Sequence, residues 1–149
     1  MEAARFELGN DGPTGILVGV DGSETSLRAA AYAAGLARRQ GAKLIVLFVR
    51  TAPATSMVVP EAAVAMDQTH DELAEELRQL LDENAPRLGL HAELVVRAGN
   101  PYVELLRVAE ERKVDAIVVG ASTQAGHRLV GSLAAKLVRH AAWPVTVVP

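Results

Sequence analysis

The chain has 149 residues, which is the size of one ordinary domain. Half of the residues are apolar and 22% are charged, so the composition is globular and excludes a disordered chain. The net charge of −3 is too weakly acidic to indicate a nucleic acid or an anionic membrane as a partner. Cysteine is absent, which excludes disulfide frameworks, thiolate metal sites and cysteine nucleophiles. Because no apolar stretch has the length of a signal peptide or a membrane span, we expect a cytoplasmic protein.

The predicted elements begin after a short extension. Residues 1–13 end in a cluster of turn-forming residues, and we expect them to be a flexible N-terminal extension of one domain over residues 14–149. The apolar run 16–20 shows no polar alternation, which is typical of a strand buried on both faces of a parallel sheet. A helix is predicted over residues 24–39. Ser23 is its expected N-cap and Gly41 its expected C-cap. The expected buried face consists of Leu27, Ala30, Ala34 and Ala37.

The middle of the chain repeats this alternation of strand and helix. A second buried strand is predicted over 44–49, and a loop over 50–60 leads to a helix over about 60–83. A third strand, over 91–97, precedes a helix that begins at Pro101. The expected apolar stripe of the helix over 60–83 is Leu73, Leu77, Leu80 and Leu81. The helix that begins at Pro101 has Asn100 as its expected cap and is expected to bury Tyr102, Leu105, Leu106 and Ala109.

The last third of the chain completes the pattern. A buried strand over 116–120 is followed by a loop of small and polar residues, a helix that begins at Gly131 and Ser132, and a final strand over 145–148. This alternation predicts an α/β fold, namely a single doubly wound, open parallel sheet of five strands with helices on both faces.

The strand ends of such a sheet are where a ligand is expected, at the point where the strand order reverses. Asp21 follows the first strand and is suited to accept hydrogen bonds from a ribose or an adenine edge. The spacing explains Asp21 equally well as a turn-forming residue before Gly22.

The start of the last helix is the second candidate. The amides of Gly131, Ser132 and Leu133 are placed to bind an anion with the helix dipole behind them. The alternative is that Gly131 only turns the chain and that Ser132 only caps the helix.

Two catalytic motifs are incomplete. Gly126 and Gly131 have the glycine spacing of a Walker A loop, but Ser132 occupies the position of the phosphate-binding lysine. The segment from Gly120 resembles a nucleophile elbow until Gln124, where that motif needs a glycine. We therefore expect a protein that is not an enzyme, with slow nucleotide hydrolysis at most.

The histidines indicate no metal site. They lie in four separate segments, share no metal-ligand spacing, and are expected to be solvated surface residues: His70, His91, His127 and His140. Only His127, in the glycine-containing loop, is placed to meet a phosphate.

The last strand predicts self-association. Val145, Val147 and Val148 are expected on a sheet edge, and an unpaired apolar strand is a template for pairing with another chain. Antiparallel pairing about a two-fold axis would give a homodimer, whereas cover by the N-terminal extension would give a monomer.

Five segments in this order resemble a universal stress protein. They are the residues 16–23, 99–101, 118–120, 130–132 and 143–145, and the likeness extends over about 14–149. The resemblance implies a sheet of strand order 3-2-1-4-5, a cytoplasmic dimer formed through the last strands, and a role in stress or dormancy responses.

The resemblance also implies a nucleotide site. Family members that bind ATP carry Gly-x2-Gly-x9-Gly-Ser/Thr in the fourth loop, and Gly120 and the pair Gly131 and Ser132 match its ends. Thr123 occupies the second glycine position and the loop is two residues shorter than the motif, with Gly126 as the nearest replacement. By the same likeness Asp21 would contact the nucleoside and Val49 would contact the adenine. The phosphates would be bound by Gly131, Ser132 and Leu133.

Two functions follow as hypotheses. The first is a stress-response regulator that binds an adenine nucleotide, ATP in particular. The second is a nucleotide-free dimeric module of the same family that an unidentified protein partner recognises through the dimer surface or the loop over 50–60. The short fourth loop favours the second hypothesis, whereas the retained glycines and Asp21 favour the first.

Overall fold

Strands and helices alternate throughout the computed structural model, which describes residues 14–51, 59–122 and 131–149. In these residues there are five strands and four helices: β1 (Gly15–Val20), α1 (Glu24–Gln40), β2 (Lys43–Arg50), α2 (Pro60–Leu88), β3 (Ala92–Ala98), α3 (Pro101–Glu111), β4 (Ala116–Gly120), α4 (Ser132–His140) and β5 (Val145–Val148). The predicted extension over 1–13, most of the loop over 50–60, and Gly126 with His127 lie outside the described residues.

The strands form one parallel sheet in the order β3-β2-β1-β4-β5. This confirms the α/β fold class and the strand order 3-2-1-4-5. Strand β1 lies in the centre, pairs with β2 on one side and with β4 on the other, and is the point where the strand order reverses.

Two apolar layers cover the two faces of the sheet. Successive residues of β1 alternate between them, so Ile16 and Val18 face one layer while Leu17 faces the other. Helices α1 and α2 build the first layer, and α3 and α4 build the second. Helices therefore lie on both faces, and the uninterrupted apolar sequence of β1 follows from its burial on both sides.

Three details of the helices differ from the sequence prediction. Leu27 is 42% exposed, because helix α1 packs closely against the sheet through the small residues Ala29, Ala33 and Ala37. Leu80 is 51% exposed and lies outside the buried stripe of α2. Helix α2 also continues past residue 83, through Pro86, and ends at a left-handed C-cap, Gly89, where backbone hydrogen bonds close the last turn.

The predicted caps that border the strand ends are confirmed. Ser23 Oγ accepts a hydrogen bond from the amide of Ser26 at 3.2 Å, and Asn100 Oδ1 accepts one from the amide of Val103 at 3.2 Å. Gly41 ends α1 in the left-handed conformation. These caps fix where α1 and α3 begin relative to the carboxyl ends of the strands.

Candidate functional site

A cavity of about 610 Å³ opens at the carboxyl ends of β1, β2 and β4. Its volume lies within the range of roughly 300–1,000 Å³ that is usual for small-molecule sites. The structure brings six of the sequence-predicted site residues together around this cavity: Asp21, Val49, Gly120, Gly131, Ser132 and Leu133. The seventh, Gly126, falls outside the described residues.

The turn after β1 holds Asp21 at the mouth of the cavity. Asp21 Oδ1 accepts a hydrogen bond from the amide of Ser23 at 2.9 Å, and the amide of Asp21 donates to Ser26 Oγ at 3.2 Å. Gly22 has a φ of 86°, and a Cβ atom there would lie 3.0 Å from Leu73 of α2. The interpretation of Asp21 as a turn-forming residue is thus confirmed.

Hydrogen bonds to its carboxylate lower the pKa of Asp21. The residue as a whole is exposed, but neighbouring atoms remove part of the hydration of its carboxylate, and this desolvation is the largest single influence and raises the pKa. Hydrogen bonds from Ser23 and Ser26 together outweigh it and leave the pKa below the ordinary value of 3.8. Asp21 is therefore a carboxylate at neutral pH, which can accept hydrogen bonds but cannot donate them.

Gly120 allows β4 to approach the first turn of α1. A Cβ atom at this position would lie 2.6 Å from the carbonyl carbon of Thr25 and 2.7 Å from the nitrogen of Ser26. A hydrogen bond stabilises the same contact: Thr25 Oγ1 donates to the carbonyl oxygen of Ala121 at 2.6 Å. The floor of the cavity is thus built from backbone that comes too close for any side chain at residue 120.

The start of α4 points amide groups at the other side of the cavity. Gly131 is the N-cap and offers no side chain, and the first helical hydrogen bond runs from the amide of Ala135 to the carbonyl of Gly131 at 2.9 Å. The amides of Ser132, Leu133 and Ala134 precede that bond and have no partner within the helix. The alternative in which Ser132 caps the helix is therefore wrong, because Ser132 is the first helical residue.

Helix α2 supplies a wall of the cavity that the sequence analysis did not assign. Met66, Thr69, His70 and Leu73 all line the cavity. His70 is only 9% exposed, so the expectation of a solvated surface histidine is wrong for this residue. Its position four residues before Ala74 and seven before Leu77, both buried, is the helical spacing that could have indicated burial.

An arginine at the end of β2 holds this wall in place. Arg50 Nη1 donates to Asp71 Oδ1 at 2.6 Å, and Nη2 donates to the carbonyl oxygen of Asp67 at 3.2 Å. Both acceptors lie in the first half of α2, next to His70. The strand that carries Val49 is therefore tied directly to the helix that faces it across the cavity.

A second cavity, of about 720 Å³, lies at the amino ends of β2 and β3 and is lined by Lys43, Asp82, His91 and Glu93 among others. It contains none of the predicted site residues. Glu93 there forms ion pairs with Lys43 at 3.0 Å and with Arg112 at 2.8 Å, which hold its pKa below the ordinary value despite partial desolvation. Lys43 and Glu93 of this cavity are thus already paired.

Residues 14–51, 59–122 and 131–149 contain neither a metal-binding cluster nor a membrane-spanning helix. No cluster of three or more His, Asp or Glu side chains suited to a metal ion occurs there. No helix within the same ranges is both long and apolar enough to span a membrane.

Comparison with known proteins gives a consistent result. The model of the universal stress protein family matches residues 14–149. The chain is 33% identical to universal stress protein YxiE of Bacillus subtilis over 145 residues, which cover 89% of this chain and 97% of that protein.

Solved structures agree with this similarity. A universal stress protein in complex with cAMP is 30% identical, has a TM-score of 0.62, and is matched over 93% of this chain and 98% of its own. An Arabidopsis thaliana protein of the family with AMP bound shares the fold, with a TM-score of 0.66, 21% identity and 91% coverage of each chain.

Proposed function

Because this chain belongs to the universal stress protein family, we propose that it is a cytoplasmic stress-response regulator that acts by binding an adenine nucleotide, ATP in particular. The observation that carries the proposal is the convergence of Asp21, Val49 and the start of α4 on one cavity of about 610 Å³.

The nucleoside is assigned to the part of the cavity between β1, β2 and α2. Phe48, Val49, Met66 and Leu73 supply an apolar slot suited to a flat base. The Asp21 carboxylate holds the turn through Oδ1 and has further acceptor sites for a ribose hydroxyl or a base amino group.

The phosphates are assigned to the start of α4. The amides of Ser132, Leu133 and Ala134, with the positive end of the helix dipole, favour an anion. Gly131 lets the start of α4 lie directly against Ser122 at the end of β4: a Cβ atom at 131 would lie 2.5 Å from Ser122 Cβ.

A relative supports the ligand class. The universal stress protein solved in complex with cAMP is 30% identical to this chain over most of both sequences. An adenine nucleotide is therefore a natural ligand class to assign to the matching cavity.

We assign binding and not turnover, with slow hydrolysis at most. The described lining of the cavity contains no Lys or Arg side chain. Phosphoryl transfer depends on cationic groups that neutralise the charge developing on the transferred phosphate. The amides at the start of α4 can hold phosphates, but they do not supply that cationic charge.

A homodimer through β5 is part of the proposal. The carbonyls of Pro144 and Val148 accept hydrogen bonds from Ile117 and Ala121, on the β4 side. By the alternation of a strand, the backbone groups of Val145 and Val147 point to the outer edge of the sheet and are available to a second copy.

The alternative function is a nucleotide-free module that binds a protein partner. One observation favours it: the fourth loop is two residues shorter than in family members that bind ATP. In that case the cavity would stay without nucleotide and the dimer surface or the loop over 50–60 would carry recognition.

Equilibrium dialysis with ATP, AMP and cAMP tests the proposal. We expect wild-type protein to bind at least ATP, and Asp21→Asn to bind about tenfold more weakly, because the substitution removes the charge of the acceptor. Asp82→Asn is the matched control, since Asp82 lines only the second cavity. Absence of binding by the wild-type protein would favour the nucleotide-free module.

A further inference from the structure

Among the described residues that line the cavity, His70 is a buried titratable side chain that the nucleotide assignment does not use. The residue is 9% exposed and lines the cavity. Its ring lies edge-on to Phe48, with the ring centroids 5.5 Å apart and the planes at 73°. No hydrogen bond joins either ring nitrogen to another residue in the described part of the chain.

His70 brings ring nitrogens to a slot whose other side chains, Phe48, Val49, Met66 and Leu73, are apolar. Phe48, Met66 and Leu73 offer no donor or acceptor suited to a base edge. The hydroxyl of Thr69 is engaged within α2, where it donates to the carbonyl of Ala65 at 3.0 Å. No side-chain nitrogen or oxygen of the described residues is both fully buried and unpaired, so the ring nitrogens of His70 are accessible from the cavity, where a ligand in the slot would offer them a partner.

The position of His70 is fixed from two sides. Phe48 packs against the ring from β2, and Arg50 binds Asp67 and Asp71, which lie three residues before and one residue after His70. The imidazole therefore does not need to be ordered when a ligand enters, and preorganised contacts of this kind contribute to specificity.

We propose that His70 is a specificity-determining residue that hydrogen-bonds to the edge of the bound base, at its 6-amino group or N7. The inference rests on the proposed nucleotide-binding function and adds a contact from α2 to those from β1, β2 and α4. A neutral imidazole carries one donor and one acceptor, so it can accept from the 6-amino group or donate to N7.

The test compares His70→Phe with His70→Gln. Phenylalanine keeps a ring against Phe48 and removes both nitrogens, whereas glutamine keeps a donor and an acceptor on a different frame. Equilibrium dialysis is performed with ATP, with 7-deaza-ATP, which lacks N7, and with the triphosphate of purine riboside, which lacks the 6-amino group.

We expect His70→Phe to bind ATP about five- to tenfold more weakly than wild type, and His70→Gln to recover part of the loss. For the analogue that lacks the contacted group, wild type and His70→Phe should differ less than about twofold, because the interaction is already absent. If His70 had a purely structural role, His70→Phe would lower the affinity for all three ligands equally.

The outcomes separate this inference from the function on which it rests. Suppose that wild type binds ATP. If His70→Phe then binds ATP equally well, or if the substitution lowers the affinity for all three ligands to the same extent, the inference is wrong and the proposed function stands. If wild type binds none of the ligands, the function is wrong and the inference falls with it.

A second measurement keeps the test decisive if His70→Phe fails to fold. The ¹⁵N resonances of the His70 imidazole in wild-type protein should move on addition of ATP, because a new hydrogen bond changes the electronic state of the ring nitrogens. Bound ATP with unchanged His70 resonances would overturn the inference.

Discussion

Gly120 and Thr25 lie so close that a Cβ atom on Gly120 would come within 2.6 Å of the carbonyl carbon of Thr25. We predict that Gly120→Ala lowers the free energy of unfolding by about 1–3 kcal/mol, because backbone atoms must move to admit the methyl group. Urea unfolding at neutral pH measures the effect.

A glycine in the middle of α1 provides the control. A Cβ atom at Gly35 would meet only the far end of Arg39, at 3.9 Å. Gly35→Ala should therefore raise the free energy of unfolding by about 0.5–1 kcal/mol through helix propensity. Similar effects of both substitutions would mean that the close contact at Gly120 does not exist in solution.

The lowered pKa of Asp21 predicts how stability depends on pH. The native state binds fewer protons at this carboxyl than the unfolded state, so its contribution is fully present above about pH 3.8 and is lost as the pH falls through the native pKa. The excess stability of wild type over Asp21→Asn should shrink on acidification below about pH 4. Urea midpoints of both proteins across this range measure it, and a difference that grows in acid would contradict the assignment.

Because the ion pair between Arg50 and Asp71 fixes the wall of the cavity, we predict that breaking it affects ATP affinity more than stability. Asp71 is largely exposed, so Asp71→Asn should cost less than about 1 kcal/mol in unfolding free energy. ATP affinity should nevertheless fall by about two- to threefold, because the wall that carries His70 is less well fixed. Glu75→Gln breaks a pair with Arg78 on the same helix and should leave the affinity unchanged. Equal effects of the two substitutions would rule out a positioning role for Arg50.

The outward backbone groups of β5 predict a dimer that proline disrupts. Val147→Pro removes an amide that faces the sheet edge, whereas Thr146→Val changes only an exposed side chain. Light scattering at micromolar concentration should give the mass of a dimer for wild type and Thr146→Val, and a lower mass for Val147→Pro. A monomer mass for the wild-type protein would refute self-pairing through this strand.

The fold could be predicted from the sequence because each decisive signal is local. The uninterrupted apolar run 16–20 indicates burial on both faces, and the caps at Ser23 and Asn100 mark helix starts. The turn at Asp21 is encoded in the same way, by an Asp followed by Gly22. Such features need only neighbours along the chain.

The wall formed by α2 could not be predicted in the same way. Arg50 and Asp71 are twenty-one residues apart, and their contact depends on how α2 is rotated about its axis. The sequence predicts Leu80 in the buried stripe and His70 in solvent, whereas the structure exposes Leu80 and buries His70. Only tertiary packing decides which of several apolar spacings faces the sheet.

Amide NMR spectra of the nucleotide-free protein during addition of ATP would test the central claim most directly, because they report both binding and its location. We predict that the amide signals of Asp21, Val49 and Ser132 shift, while those of Leu90 and Glu93 at the second cavity remain unchanged. A spectrum that ATP leaves unaltered, or shifts confined to the second cavity, would contradict the account.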